Sequence, residues 1–280
     1  MTDATLPERA RRALDHVAAR SSGPPVDPEL RVTLNFHPDR DDPPILAALA
    51  TAGRYRSQFA TGTGNGGLTA RPGGDRWRWE SRIFGGAYDD ADPEDRPVYG
   101  ALNFRHNPAG AAPRFGSAHF VLAAEAVGRA TFCYPDSHLD PEDFGVAGAL
   151  DLIATALADT EADALDDYIE AQVHGPVGLA TDIEALVLDP CYRGTPVEEL
   201  AHALPCPVRW HGGFRLTVDE MARHPDYRGP EFVLLAREIA PDGLLTPRVI
   251  GEAARTGKYD PQALKRVWHY VARFGAYQAL

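Results

Sequence analysis

A chain of 280 residues with 44% hydrophobic side chains can hold one large domain or two modest ones, and folds without disulfide staples. Its formal charge of -12 and pI near 5.2 exclude a broad surface that grips nucleic acid by neutralising phosphates. No stretch approaches the roughly 18 consecutive apolar residues of a spanning helix, so no membrane partner is expected.

The opening MTDATLPERARR has no apolar run before its arginines, and Cys133, Cys191 and Cys206 form no CxxC pair. Together these predict a cytoplasmic protein with reduced thiols. Residues 7–20 carry apolar side chains at helical spacing, with Thr5 and Glu8 in capping-box relation, and SSGPPVDP (21–28) is a breaker-rich linker. Residues 30–36 read as a first strand that Pro38 stops, which leaves His37 at a strand end, where side chains emerge into a cleft. A short apolar helix over 44–52 has Gly53 placed as its C-cap.

The stretch 54–70, RYRSQFATGTGNGGLTA, is too rich in glycine for a regular element. It can present bare backbone N–H groups, notably at Gly64, Asn65, Gly66 and Gly67, to a ligand, although it matches neither a P-loop nor a Rossmann fingerprint. Residues 74–84 predict a helix with Trp77 and Ile83 or Phe84 inward. Arg71, Arg76, Arg78 and Arg82 make either a local phosphate-binding patch or a solvated, salt-bridged face. Strands are expected at 98–104, at 115–123, where Ser117 and His119 share a face, and at 130–134, followed by an apolar helix over 146–158.

YIEAQVHG (168–175) reads as a strand and 183–188 as another. Glu170 and Gln172 stand two apart in the first and project from one face, a carboxylate and a carboxamide aimed together. An ordinary water-facing strand side shows the same alternation. A helix over 196–204 with Thr195 as N-cap, a strand over 208–218 kinked at His211-Gly212-Gly213, and helices after Pro230 complete the chain. The pattern predicts an α+β fold: an N-terminal helix and linker (1–28), a catalytic-type core (29–218) and a C-terminal helical region packed on it (219–280).

This order of strand with terminal His, helix closed by Gly, glycine-rich loop, strand with Ser-x-His and strand with Glu-x-Gln resembles the ADP-ribosyltransferase superfamily. Within it, the chain looks like the branch of the DarT toxins and the RNA 2'-phosphotransferases. The carrying residues are His37 through Leu46, Leu49 and Gly53, then Glu170-Ala171-Gln172-Val173 with 183–188 as its paired strand. The superfamily usually places its glutamate second in the pair, where this chain has Gln172. At whole-chain level NFHPDR, YRSQF, GNGGLTA, GGDR, FGGAY, YGAL, RFGS, DSH, EAQVHG and DPCYRGTP are similar to the bacterial domain-of-unknown-function family 3626.

The superfamily resemblance implies a split antiparallel sheet with flanking helices, and NAD as the substrate whose nicotinamide–ribose bond is cleaved through an oxocarbenium-like state. In that role Glu170 stabilises the developing positive charge, and Gln172 orients the ribose or the acceptor. Ser117 shapes the nicotinamide pocket, His37 bonds the adenosine ribose or a phosphate, and Arg40, Arg54 or Arg56 reaches the pyrophosphate. The acceptor, whether protein, nucleic acid or small molecule, stays open. Two rival readings exist: a metallohydrolase ligated by His37, Asp39, His119, Asp136, His138 and His174, which have no fixed ligand spacing, and a non-catalytic nucleotide-binding or interaction module.

Overall fold

The computed structural model describes residues 6–41, 43–62 and 68–275. Strands β1 (Val32–Phe36), β2 (Val98–Leu102), β3 (Ala118–Leu122) and β4 (Ala130–Tyr134) form half of its main sheet. The other half comprises β5 (Asp143–Val146), β6 (Ile169–Val173), β7 (Ile183–Leu188) and β8 (Val208–Trp210). The order is β8-β7-β3-β1-β2-β6-β4-β5, antiparallel except for the β7–β8 pair. The ladder is continuous, in place of the two half-sheets implied by the resemblance.

Alternation along each strand gives the sheet two unlike faces. Leu34, Phe36, Phe120, Leu122, Phe132, Ile169, Ala171, Val173, Leu186 and Leu188 point to one side and form the largest core. Helices α2 (Ile45–Ala52), α4 (Leu152–Ala158) and α5 (Pro196–His202) supply Leu46, Leu49, Leu152, Ala156, Val197 and Ala201 to that core. Gly53 ends α2 at φ 65°, the left-handed conformation that glycine adopts without penalty.

The other face is polar, and register sets its rows: Thr33, Ala101, Glu170 and Cys133 lie opposite one another across β1, β2, β6 and β4, and Gln172 stands between Tyr99 and Thr131. Two separate layers cover it. Over β2, β6, β4 and β5 lie α1 (Glu8–Ala18) and α3 (Asp75–Ile83), which pack Ala13, Val17, Trp79 and Ile83 with Cys133, Tyr99 and Phe144. Over β1 and β3 the connection 103–117 passes, tied down where Asn35 Nδ2 donates to Ala109 O (2.9 Å) and Ala111 N donates to Thr33 Oγ1 (2.8 Å). Helices α6 (Pro230–Ile239), α7 (Pro247–Arg255) and α8 (Pro261–Phe274) build their own apolar cluster and dock there through Trp268.

Several expectations are corrected. Strand β7 is not the partner of β6, which pairs with β2 and β4; the short segment Val177–Gly178 instead pairs with Arg54–Tyr55 and carries the chain away across the sheet. The expected helix over 146–158 is β5 followed by the shorter α4, because Phe144 and Val146 extend the ladder beside β4. The stretch 208–218 splits into β8 and Leu216–Thr217, which joins a separate two-stranded sheet with Leu244–Leu245. In α3 the buried side chains are Arg76, Trp79, Glu80 and Ile83, while Trp77 is half-buried. Thr195 precedes α5 without a side-chain cap, its hydroxyl donating instead to Tyr192 O (2.6 Å). Thr5 lies outside the described residues, and α1 begins after Pro7.

Candidate active site at Glu170

Glu170 and Gln172 share the polar face, as their spacing requires, but neither faces water: Glu170 is 6% exposed and Gln172 not at all. Burying a carboxylate is costly unless it is paired and hydrogen-bonded. The partners come from distant elements. Gln172 Nε2 donates to Glu170 Oε1 (3.0 Å) and Ser137 Oγ donates to Oε2 (2.9 Å), while the Arg76 guanidinium of α3 lies 3.7 Å from Oε1. Burial pushes the Glu170 pKa up, Arg76 pulls it back, and Asp136 adds to the rise.

These contacts extend into a closed ring of buried polar groups. Gln172 Oε1 accepts from Thr131 Oγ1 (2.8 Å), whose oxygen lies 3.1 Å from His174 Nε2. Since the threonine proton is committed to Gln172, His174 donates from Nε2 and accepts at Nδ1 from Tyr88 OH (2.9 Å). Tyr88 O accepts from Arg96 (2.7 Å), Arg96 pairs with Glu80 (2.5 Å), and Glu80 accepts from Tyr99 OH (2.8 Å). The Tyr99 ring then lies 4.1 Å from the guanidinium of Arg76, which also donates to Ser137 Oγ. Such a ring fixes the orientation of the Glu170 carboxylate.

A second polar group lies farther along the sheet. His37 is 6% exposed and its ring stands edge-on to Trp268, centroids 4.9 Å apart; burial, then the charges of Arg40, His269 and Lys265, hold it neutral. Asp39 is buried beside Arg255, whose Nη1 donates to Asp39 O (2.5 Å) and lies 3.6 Å from Oδ2. Half-buried Arg40 has Nε and Nη2 without a hydrogen-bond partner among the described residues. Ser117 is fully buried, its Oγ 3.3 Å from Tyr192 OH and its carbonyl accepting from His211 Nε2 (2.8 Å).

The register places His37 four residues along from the row of Thr33 and Glu170 and two strands across, so the groups stand about 13 Å apart along the strands and about 10 Å across them. Ser117 therefore belongs with Tyr192 and His37 and not with Glu170. Arg56 pairs, with Arg54, with the Glu94 carboxylate at the surface. Gly64, Asn65, Gly66 and Gly67 lie outside the described residues. Between the two groups stands Asp136, which accepts from Tyr168 OH and lies 4.0 Å from Arg114.

Sequence reasoning missed Ser137 and Asp136 as neighbours of Glu170, and placed Arg76 only within a general basic cluster. Their one signal was position: Asp136-Ser137 follows directly on a predicted strand, where loops carry function. The metal ligand set does not gather. His174 is locked between Thr131 and Tyr88, His138 is exposed, and among the described residues no group of three His, Cys, Asp or Glu side chains is arranged to hold an ion.

The molecule is thus an α+β protein with a large, mostly antiparallel sheet, flanking helices and a buried, oriented carboxylate on its polar face. The family model described as "Protein of unknown function (DUF3626)" matches residues 31–162 and 154–274, and the chain belongs to that family. No curated protein matches it. Among the described residues no helix is long and apolar enough to cross a membrane.

Proposed function

We propose that this protein cleaves the nicotinamide–ribose bond of NAD, as an ADP-ribosyltransferase or an NAD glycohydrolase. The observation that carries the reading is Glu170: a carboxylate barely reached by water, oriented by Gln172 and Ser137 and counter-charged by Arg76. In the reaction the C1'–N bond breaks, its electron pair neutralises the departing nicotinamide, and positive charge grows on the ribose. The leaving group is already cationic and needs no acid. What the step needs is a fixed negative charge beside the ribose, which Glu170 supplies. Water or another acceptor then attacks C1', forming the new bond, and its proton passes to solvent.

His37 and Arg40 stand roughly 16 Å from Glu170 by the register, and the connection 103–117 covers the face between them, so the reading assigns only the nicotinamide ribose, at Glu170. The test is titration of the full chain with NAD, following binding and free nicotinamide. We expect saturable binding and slow release of nicotinamide. Glu170→Gln keeps the shape and removes the charge, so turnover falls by about two to three orders of magnitude while NAD binding changes little. No binding at millimolar NAD, or full turnover in the glutamine variant, refutes the reading.

A further inference from the structure

The segment that joins β4 to β5 makes a single turn at Ser137–Leu139, and that turn holds two carboxylates at once. Its N-cap is Asp136, whose Oδ1 accepts from His138 N (2.7 Å). Its first residue is Ser137, whose Oγ donates to Glu170 Oε2 (2.9 Å) and whose backbone N lies 3.5 Å from the same oxygen. From the other side Tyr168, two residues before Glu170, donates its hydroxyl to Asp136 Oδ2. Asp136 and Glu170 are therefore neighbours, tied to each other through the turn and through the start of β6. The charge of Asp136 is felt at Glu170.

The two carboxylates are not bound alike. Glu170 is held on both oxygens, by Gln172 (3.0 Å) and Arg76 (3.7 Å) at Oε1 and by Ser137 at Oε2. Donors on every side suit it to be a fixed negative charge. A carboxylate has about four lone-pair positions, and Asp136 uses one on each oxygen. Arg114 lies 4.0 Å from Asp136 Oδ2, but it is already paired with Asp166, which also lies 3.9 Å from Arg228. Asp136 thus keeps lone pairs that can accept one more O–H. From there the turn leads outward: Asp136 is 8% exposed, His138 is at the surface and Leu139 is 63% exposed.

We infer that Asp136 is the second catalytic carboxylate of this site, and that it takes the proton of a hydroxyl acceptor, water or an alcohol, attacking the ribose held at Glu170. The inference rests on the NAD reading. A lone pair of the acceptor oxygen forms the bond to C1', the O–H bond breaks with its electrons returning to oxygen, and the proton passes to Asp136 and from there to solvent. Glu170 stays ionised throughout, so one carboxylate stabilises the ribose while the other serves the acceptor.

The test is nicotinamide release from NAD by the full chain, with and without sodium azide, for the wild type and for Asp136→Asn. Asparagine keeps the size of the side chain, caps the turn and can still bond the Tyr168 hydroxyl, so the variant loses the base alone. We expect Asp136→Asn to release nicotinamide about a hundredfold more slowly in water. Azide attacks without a proton to give up, so it should raise turnover of the variant about tenfold or more while the wild type gains little, with ADP-ribosyl azide as the product seen by mass spectrometry. Thermal melts verify folding, and if Asp136→Asn unfolds, Asp136→Ser, which also caps the turn, is read in its place. Full turnover in the variant overturns the role of Asp136 and leaves the NAD reading standing. A loss that azide does not restore overturns it too, and makes the carboxylate a structural one. A wild type that leaves NAD intact removes the NAD reading, and the role of Asp136 with it.

Discussion

Glu170 sits between opposing influences, since burial and Asp136 favour its protonated form while Arg76 and the donors Ser137 and Gln172 favour the carboxylate. Burial wins, so its pKa lies above that of an ordinary glutamate. If the ionised form carries the chemistry, kcat/KM falls as the pH drops through this raised value, and the acid limb lies at higher pH than a free glutamate would give. Arg76→Gln removes the counter-charge and moves the limb to higher pH still; a pH profile of nicotinamide release for both proteins reads the shift. A limb that does not move separates Arg76 from the titration of Glu170.

At the scale of elements, α3 and α7 show how burial of charge is arranged. Periodicity pointed Trp77 of α3 inward, because charged residues are normally assigned to the water side. The helix instead buries Arg76 and Glu80, since each finds its partner on another element: Glu170 and Ser137 for the first, Arg96 and Tyr99 for the second. Helix α7 approaches the end of β1 so closely that a Cβ on Gly251 would lie 1.9 Å from Asp39 Oδ2 and 2.2 Å from its Cγ. Asp39 is itself buried, so a methyl group there must displace packed neighbours. Gly251→Ala is therefore expected to cost about 2 kcal/mol in urea unfolding. Combined with Asp39→Ala, the loss should be smaller than the sum of the two single losses, since the second change removes the obstructing carboxylate.

At the scale of the whole molecule, buried titratable groups set the response to acid. Burial holds His119 and His174 down at about 3 and His269 at about 2, against an ordinary 6.5. Unfolded, these rings take up protons that the folded protein refuses, so the stability they contribute is present above pH 6.5 and is lost as the pH falls towards 3. Asp39 runs the other way: burial lifts it from 3.8 to about 6, so between those values the folded state keeps a proton the unfolded chain has lost, and stability rises as the pH falls. Glu80 and Glu170, also raised by burial, act in the same sense. The two sets oppose each other at mildly acidic pH. Urea midpoints should therefore change little between pH about 6 and about 4 and fall steeply below, where the raised carboxylates no longer oppose the histidines and the carboxylates Glu94, Asp159 and Glu238, held below their usual range by hydrogen-bond donors, lose their charge as well. Asp39→Asn should steepen the upper part of that curve; an unchanged curve removes Asp39 from the balance.

The sequence by itself determined the α+β class, the family, the apolar side of the strands, the helix closed by Gly53, and the shared face of Glu170 and Gln172. These follow from local periods of two or 3.6 residues and from glycine geometry, which depend on near neighbours in the chain. Only the tertiary structure decided that the shared face is buried, that Arg76 and Ser137 hold Glu170, that β6 lies between β2 and β4, and that Ser117 stands with Tyr192 instead of with Glu170. It alone decided too that Lys265 and His269, near the end of the chain, come within reach of the charge of Arg114. The physical reason is common to all of these. A polar residue reads as water-facing until its partner is known, and each partner here arrives from a distant segment through sheet pairing or helix docking, which no local pattern records.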